Sequence, residues 1–480
     1  MTNTRIHGKY LFRLALAFVG MTSCNVLSAQ CPASFTEAPG SPIPVGVNPA
    51  DFGLGDFNGD GKLDLAVPNN GIPFTVSILL GNGNGTFTEA LGSPFAVGTN
   101  PSHAAVGDFN GDGKLDLAVT DGTDRNIWIL LGNGAGQFTL AGSPIPAGYS
   151  TTLAVGDFNG DGKLDIAAES YDTNDVFILL GNGNGTFTEA LGSPIAVGTT
   201  PASVTMGDFN GDGKLDLAVG NLLSDNISIL LGDGAGGFKE ALGSPIPVGS
   251  VPEGIAVADF NGDHKLDFAV ANANSNTVSI MLGDGTGGFV SALGSPIGVG
   301  SEPAWVAVAD FNGDNKLDFA VTNASSNTVS ILLGDGTGAF TLSGPPIAVG
   351  SRPAYSAIGD FNGDSKPDLA LVNFFSNNVS ILLNTSVCLR TPQQATESLI
   401  DSINILINQG VLNRGRGNSL VQKLEAALQQ MDRGNSNPAK NQLGAFINEV
   451  NALMNSRALS ASQGQSLIDA ASAIISQLSG

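Results

Sequence analysis

Apolar residues along most of this chain fall in short runs, alternating or continuous, separated by tight clusters of Gly, Asn and Asp. Residues 202 to 240 show the pattern well. Ala202 to Gly207 predicts a strand A, Lys214 to Val219 a strand B, and Asn226 to Leu231 a strand C; strand D starts at Phe238 after the Gly-rich turn Gly232 to Gly237. Strands B and C are nearly continuous in apolar residues (Leu215, Leu217, Val219; Ile227, Ile229, Leu231), as expected of strands covered on both faces. The phrase Asp-Phe-Asn-Gly-Asp opens at Asp56, Asp108, Asp157, Asp208, Asp259, Asp310 and Asp360, at intervals of 52, 49, 51, 51, 51 and 50 residues. A period near 50 with strand-like content predicts an all-β seven-bladed propeller, one four-stranded blade per repeat, over residues 30–388.

The ends support a closed ring. The seventh unit stops after strand C (Val379 to Leu383), and its missing strand D stands at the other end, where Ser34-Phe35-Thr36-Glu37-Ala38 matches Thr86-Phe87-Thr88-Glu89-Ala90. Joining first and last segments in one blade removes the exposed edge that an open array would keep. Cys31 and Cys388 both align with the C–D turn of other blades, so a disulfide there is expected to replace that turn.

Beyond Cys388 the pattern changes to helical spacing. Thr391-Pro392 predicts a first helix ending near Gly410, Ser419 to Asp432 a second, Asn437-Pro438 the start of a third, and Ser460 caps a fourth. Residues 389–480 are thus expected to form a small all-α four-helix domain.

Lys+Arg number 20 against 43 Asp+Glu, a net charge of −23, which excludes general nucleic-acid binding and disfavours anionic lipid. Residues 1–29 read as a signal peptide: Arg5, Lys9 and Arg13, a short apolar stretch from Leu14 to Met21, and Leu27-Ser28-Ala29 as a cleavage site. That stretch is too short to span a bilayer. Secretion is expected, with lipoprotein anchoring through Cys24 a lesser alternative, and the mature charge becomes −26.

Much of this acidity sits in a nine-residue loop between strands A and B. Position 1 is Asp56, Asp108, Asp157, Asp208, Asp259, Asp310 and Asp360, and position 3 is Asn58, Asn110, Asn159, Asn210, Asn261, Asn312 and Asn362. Position 5 is Asp60, Asp112, Asp161, Asp212, Asp263, Asp314 and Asp364, and position 9 is Asp64, Asp116, Asp165, Asp216, Asp267, Asp318 and Asp368. Position 7, able to offer its backbone carbonyl, is Lys62, Lys114, Lys163, Lys214, Lys265, Lys316 and Lys366. Hard oxygens at this spacing suit Ca²⁺, up to seven ions, which would bring the mature charge to −12. An EF-hand is excluded because position 12 is apolar throughout and a strand follows. Position 6 is Gly in four loops but His264, Asn315 and Ser365 in the last three; Asn tolerates left-handed geometry best of these, so strained or weaker sites are expected at His264 and Ser365.

These units, including Asp-Gly-Lys-Leu-Asp-Leu-Ala-Val at Asp60 to Val67, resemble FG-GAP/VCBS repeats, as in the integrin α-subunit propeller and some secreted lectins and microbial proteins. The resemblance implies calcium in the A–B loops on one face and ligand recognition on the other. Leu443-Gly444-Ala445-Phe446-Ile447-Asn448-Glu449-Val450 resembles the FIMAH module of secreted bacterial proteins.

Whereas the A–B loops are nearly invariant, the opposite face, built by the B–C loops and D–A connections, diverges. The residue five before each loop is Asp51, His103, Thr152, Ser203, Gly254, Trp305 or Tyr355. His103, Trp128, Tyr171, Trp305, Arg352 and Tyr355 are the candidate contacts for an extracellular glycan or protein ligand. The alternative is a lyase-like enzyme acting on polysaccharide through carboxylates among Asp121, Asp124, Glu169, Asp172 and Glu253.

Overall fold

A computed structural model describes residues 32–142, 144–386 and 391–479. The expected signal segment, Cys24 and both cysteines of the expected disulfide, Cys31 and Cys388, lie outside the described residues.

Seven antiparallel sheets follow the repeats. In the fourth, the inner strand Pro201–Gly207 pairs with Asp216–Asn221, which pairs with Asn226–Gly232, which pairs with the outer Phe238–Glu240. The sequence predicts one strand D, but each outer strand is broken into two pieces. Here the second piece, Ile246–Pro247, rejoins strand C beside Asn226 and Ile227. At the break the Ser244 hydroxyl accepts the Ile229 amide at 2.9 Å, and Ser41, Ser93, Ser193 and Ser295 do the same in four other blades. A side chain thus supplies the partner the broken strand withdraws.

The ring closes as expected. Phe35–Glu37 pairs with the last strand in the register Phe35↔Asn384, and Ile43–Pro44 follows with Ile43↔Val379. The core lies between blades as separate clusters, not in one central mass. Every seam is bridged by two phenylalanines, one from position 2 of an A–B loop and one opening the outer strand of the next blade. Their rings meet at 5.4 to 5.9 Å in edge-on geometry, from Phe57–Phe138 round to Phe311–Phe35 and Phe361–Phe87. The partners lie one repeat apart, so this pairing is not legible in local sequence.

Four helices follow: α1 (Pro392–Asn408), α2 (Arg414–Asp432), α3 (Ser436–Asn455) and α4 (Ala461–Gln477). Thr391 and Ser460 each complete a capping box, with Gln394 and Gln463. Helix α2 starts five residues before the expected Ser419, through Gly415 and Gly417. Gly417 is buried against α1, where a Cβ would fall 2.3 Å from Ile407 side-chain atoms, so close packing overrides its poor helix propensity. Phe446, Leu443, Leu424 and Leu420 fill the bundle's own core. No helix among the described residues is long and apolar enough to cross a membrane.

Candidate functional site: the A–B loops and the axial lumen

The seven A–B loops share one hydrogen-bonded geometry. In the fourth, Asp208 Oδ1 accepts the amides of Gly211 (2.7 Å) and Asp212 (3.1 Å), and Oδ2 accepts that of Gly213 (2.8 Å). Asn210 accepts the Asp212 amide and Asp212 accepts the Lys214 amide. Position 6 requires a left-handed backbone: Gly213 has φ 80°, and His264, Asn315 and Ser365 adopt 65°, 66° and 65° in its place.

Position 9 is different in kind. Asp216 is fully buried, and its oxygens accept the Phe209 amide at 2.9 Å and the Gly232 amide at 2.8 Å. One carboxylate therefore ties the loop start to the end of strand C. Burial raises its pKa first, and the nearby charges of Asp212 and Asp208 raise it further. The oxygen set is thus of the kind a hard cation takes, and its members repel one another. Their side chains nonetheless turn to the loop's own amides, and among the described residues no three acidic, His or Cys side chains converge on a point. The sixth loop also meets the helical region: Asn315 Nδ2 donates to Ser398 of α1 at 3.1 Å. Burial pushes its Asp318 up to about 7.

At the opposite end the inner strands surround an axis, and residues far apart in sequence meet there. His103 Nδ1 pairs with Asp51. Burial alone would lower the imidazolium pKa, but the Asp51 charge and hydrogen bond, helped by Glu169, outweigh it and the pKa rises. Glu169 is fully buried; its Oε1 accepts the Thr151 amide (2.8 Å) and hydroxyl (2.6 Å) and the Thr152 amide (2.9 Å). Burial still raises its pKa to about 7, against those bonds. Trp305 and Tyr355 pack with ring centroids 4.5 Å apart, and a Cβ on Gly254 would strike the Trp305 ring at 2.4 Å. Burial raises the Tyr355 phenol well above its usual value, with Asp51, Glu169 and Glu253 adding repulsion across the lumen. Glu253 is pushed up to about 7 by burial and by Glu302, partly offset by Arg352.

Of the six candidate contacts, His103, Trp305 and Tyr355 gather in this lumen. Arg352 stands beside it, 2.9 Å from Glu302 and over the Phe375 ring at 5.7 Å. Trp128 does not join them; its indole donates to Asp121 at 3.3 Å and packs against the seam of the first two blades. Tyr171 is exposed and pairs with Tyr149, 5.7 Å between centroids. Among the carboxylates weighed for catalysis, Asp121 is buried and accepts from Thr99 and Trp128, whereas Asp172 pairs with Arg125 at 2.6 Å.

The chain matches the FG-GAP-like repeat family at residues 56–119, 108–168, 157–219, 259–321 and 310–371, and the FIMAH domain at residues 396–476. No curated protein matches. Solved structures similar to it include BBS1N in complex with ARL6DN (14% identity, 73% of this chain and 97% of that one, TM-score 0.49). The periplasmic gluconolactonase PpgL of Pseudomonas aeruginosa is similar at 14% identity, over 68% of this chain and 89% of that one, TM-score 0.47. The V. cholerae biofilm matrix protein Bap1 is similar at 14% identity, over 74% and 91%, TM-score 0.39. Seven Asp-Phe-Asn-Gly-Asp loops on seven blades, followed by four capped helices, place this chain in the FG-GAP-like repeat family, with a FIMAH domain behind the propeller.

Proposed function

We propose that this protein is a secreted, calcium-stabilised propeller that recognises an extracellular glycan or protein ligand on the face opposite its A–B loops. The observation that carries the reading is the contrast between the two faces. One repeats a single acidic loop seven times, as a scaffold would. The other converges unlike residues, namely Asp51, His103, Glu169, Trp305 and Tyr355, on one lumen.

Calcium would be held by positions 1, 3, 5 and 9 and the position-7 carbonyl, and would neutralise the crowded carboxylates. Each loop adjoins a seam, because Gly236 of the next C–D turn donates its amide to the Phe158 carbonyl at 3.0 Å, with equivalents at other seams. Metal binding is therefore expected to stiffen the ring. Thermal unfolding with calcium and with chelator tests this: the melting temperature should fall by roughly 10 °C or more on chelation, and identical curves would refute calcium binding.

A polysaccharide-cleaving enzyme is the second reading, since Glu169 and Glu253 border the same lumen and both lie near 7. The geometry favours recognition. Glu169 is held by three donors on one oxygen and His103 is engaged by Asp51, which leaves Glu253 without a ready proton-transfer partner. A glycan array read alongside a depolymerisation assay separates the two: chain cleavage by the purified protein would establish the enzyme.

A further inference from the structure

Glu253 is the odd carboxylate of the lumen. Asp51 has His103, Glu169 has the two threonines, and Glu302 has Arg352 and the Ser325 hydroxyl. No group among the described residues hydrogen-bonds Glu253, although it lies deep enough that desolvation dominates its ionisation. Its side chain is nevertheless only half-buried by surface contact, as are Trp305 and Tyr355. A desolvated carboxylate lacking donors is costly, and the cost is relieved by a cation that brings its own N–H groups.

The surroundings narrow the cation. Asp51 pairs with His103 and Glu302 with Arg352, which leaves Glu169 and Glu253 as the carboxyl groups here without an ion pair among the described residues. Aromatic rings flank the lumen, and such rings attract organic cations over their faces and aliphatic stems along them. An amino sugar carries its nitrogen directly on a bulky ring, whereas a lysine carries it on a slim four-carbon stem able to reach a recessed carboxylate.

Building on the recognition reading, we propose that the lumen receives the ammonium of a lysine from a basic extracellular peptide segment, with Glu253 as counter-ion and the Trp305–Tyr355 pair as the wall for its stem. Calorimetric titration of the full chain with a Gly-Gly-Lys-Gly-Gly peptide tests it. Saturable binding is expected, weakened at least tenfold in Glu253→Gln and by Nε-acetylation of the peptide. The chain has two tryptophans, so Trp128→Phe leaves Trp305 as sole indole emitter, and its emission should change as the peptide binds. That readout serves if Glu253→Gln does not fold. Equal binding of acetylated peptide, or an unresponsive Trp305, overturns the proposal. Binding of chitosan oligomers or array glycans without the lysine peptide overturns it and leaves the recognition reading standing; binding of neither overturns the lysine proposal alone.

Discussion

Glu169 illustrates how one residue is set by its surroundings. A carboxyl with three donors on one oxygen would ordinarily ionise easily, yet full burial wins and holds its pKa near 7. The folded chain therefore keeps this proton at pH values where the unfolded chain, at about 4.5, has lost it. Its contribution to stability is fully present below about pH 4.5 and is lost as pH rises through 7, on the order of 3 kcal/mol at most. In Glu169→Gln the amide oxygen can still accept from Thr151 and Thr152 while no charge can form. Denaturant unfolding between pH 4.5 and 7.5 should show a shallower decline in the variant than in the wild type, with Glu253 and Asp318 contributing to the remaining slope. Equal slopes would show that Glu169 titrates normally. Glu169 and Glu253 stand out in the sequence as acidic residues of the variable face, but their depth and neighbours are not legible there.

Among elements, the A–B loop carries two roles in one motif. Its spacing of oxygens points to a cation, and that much is visible from residue types alone. The pairing of Asp216 with the amides of Phe209 and Gly232 is not, because Gly232 ends a strand 16 positions later. Replacing Asp216 with Ala orphans two buried amides and should cost about 2–4 kcal/mol. The loss should persist in chelator, where a purely metal-binding residue would no longer matter; a difference confined to calcium buffer would assign Asp216 to the metal alone. The broken outer strand makes the same point. At its break the Ser244 hydroxyl accepts the Ile229 amide, a pairing that local periodicity does not reveal.

For the whole molecule, closure is the decisive event. The segment Phe35–Glu37, with Ile43–Pro44, completes a blade whose other three strands lie more than 300 residues away. It also sets Phe35 against Phe311, the seam between the last two blades. Deleting residues 32–44 should expose the edge of Asn378–Asn384, lower the melting temperature by roughly 10 °C or more and promote association, as scanning calorimetry and light scattering would report. An unchanged transition would mean that the ring holds without its closing strand. The sequence by itself determined the seven units, their strand order, the complementarity of the ends and the oxygen-rich loops, because each is written in local periodicity or residue type. Only the tertiary structure decided which side chains share the lumen, and that Trp128 and Tyr171 stay out of it. Those neighbours come from different blades, and nothing but ring closure fixes the distances between them.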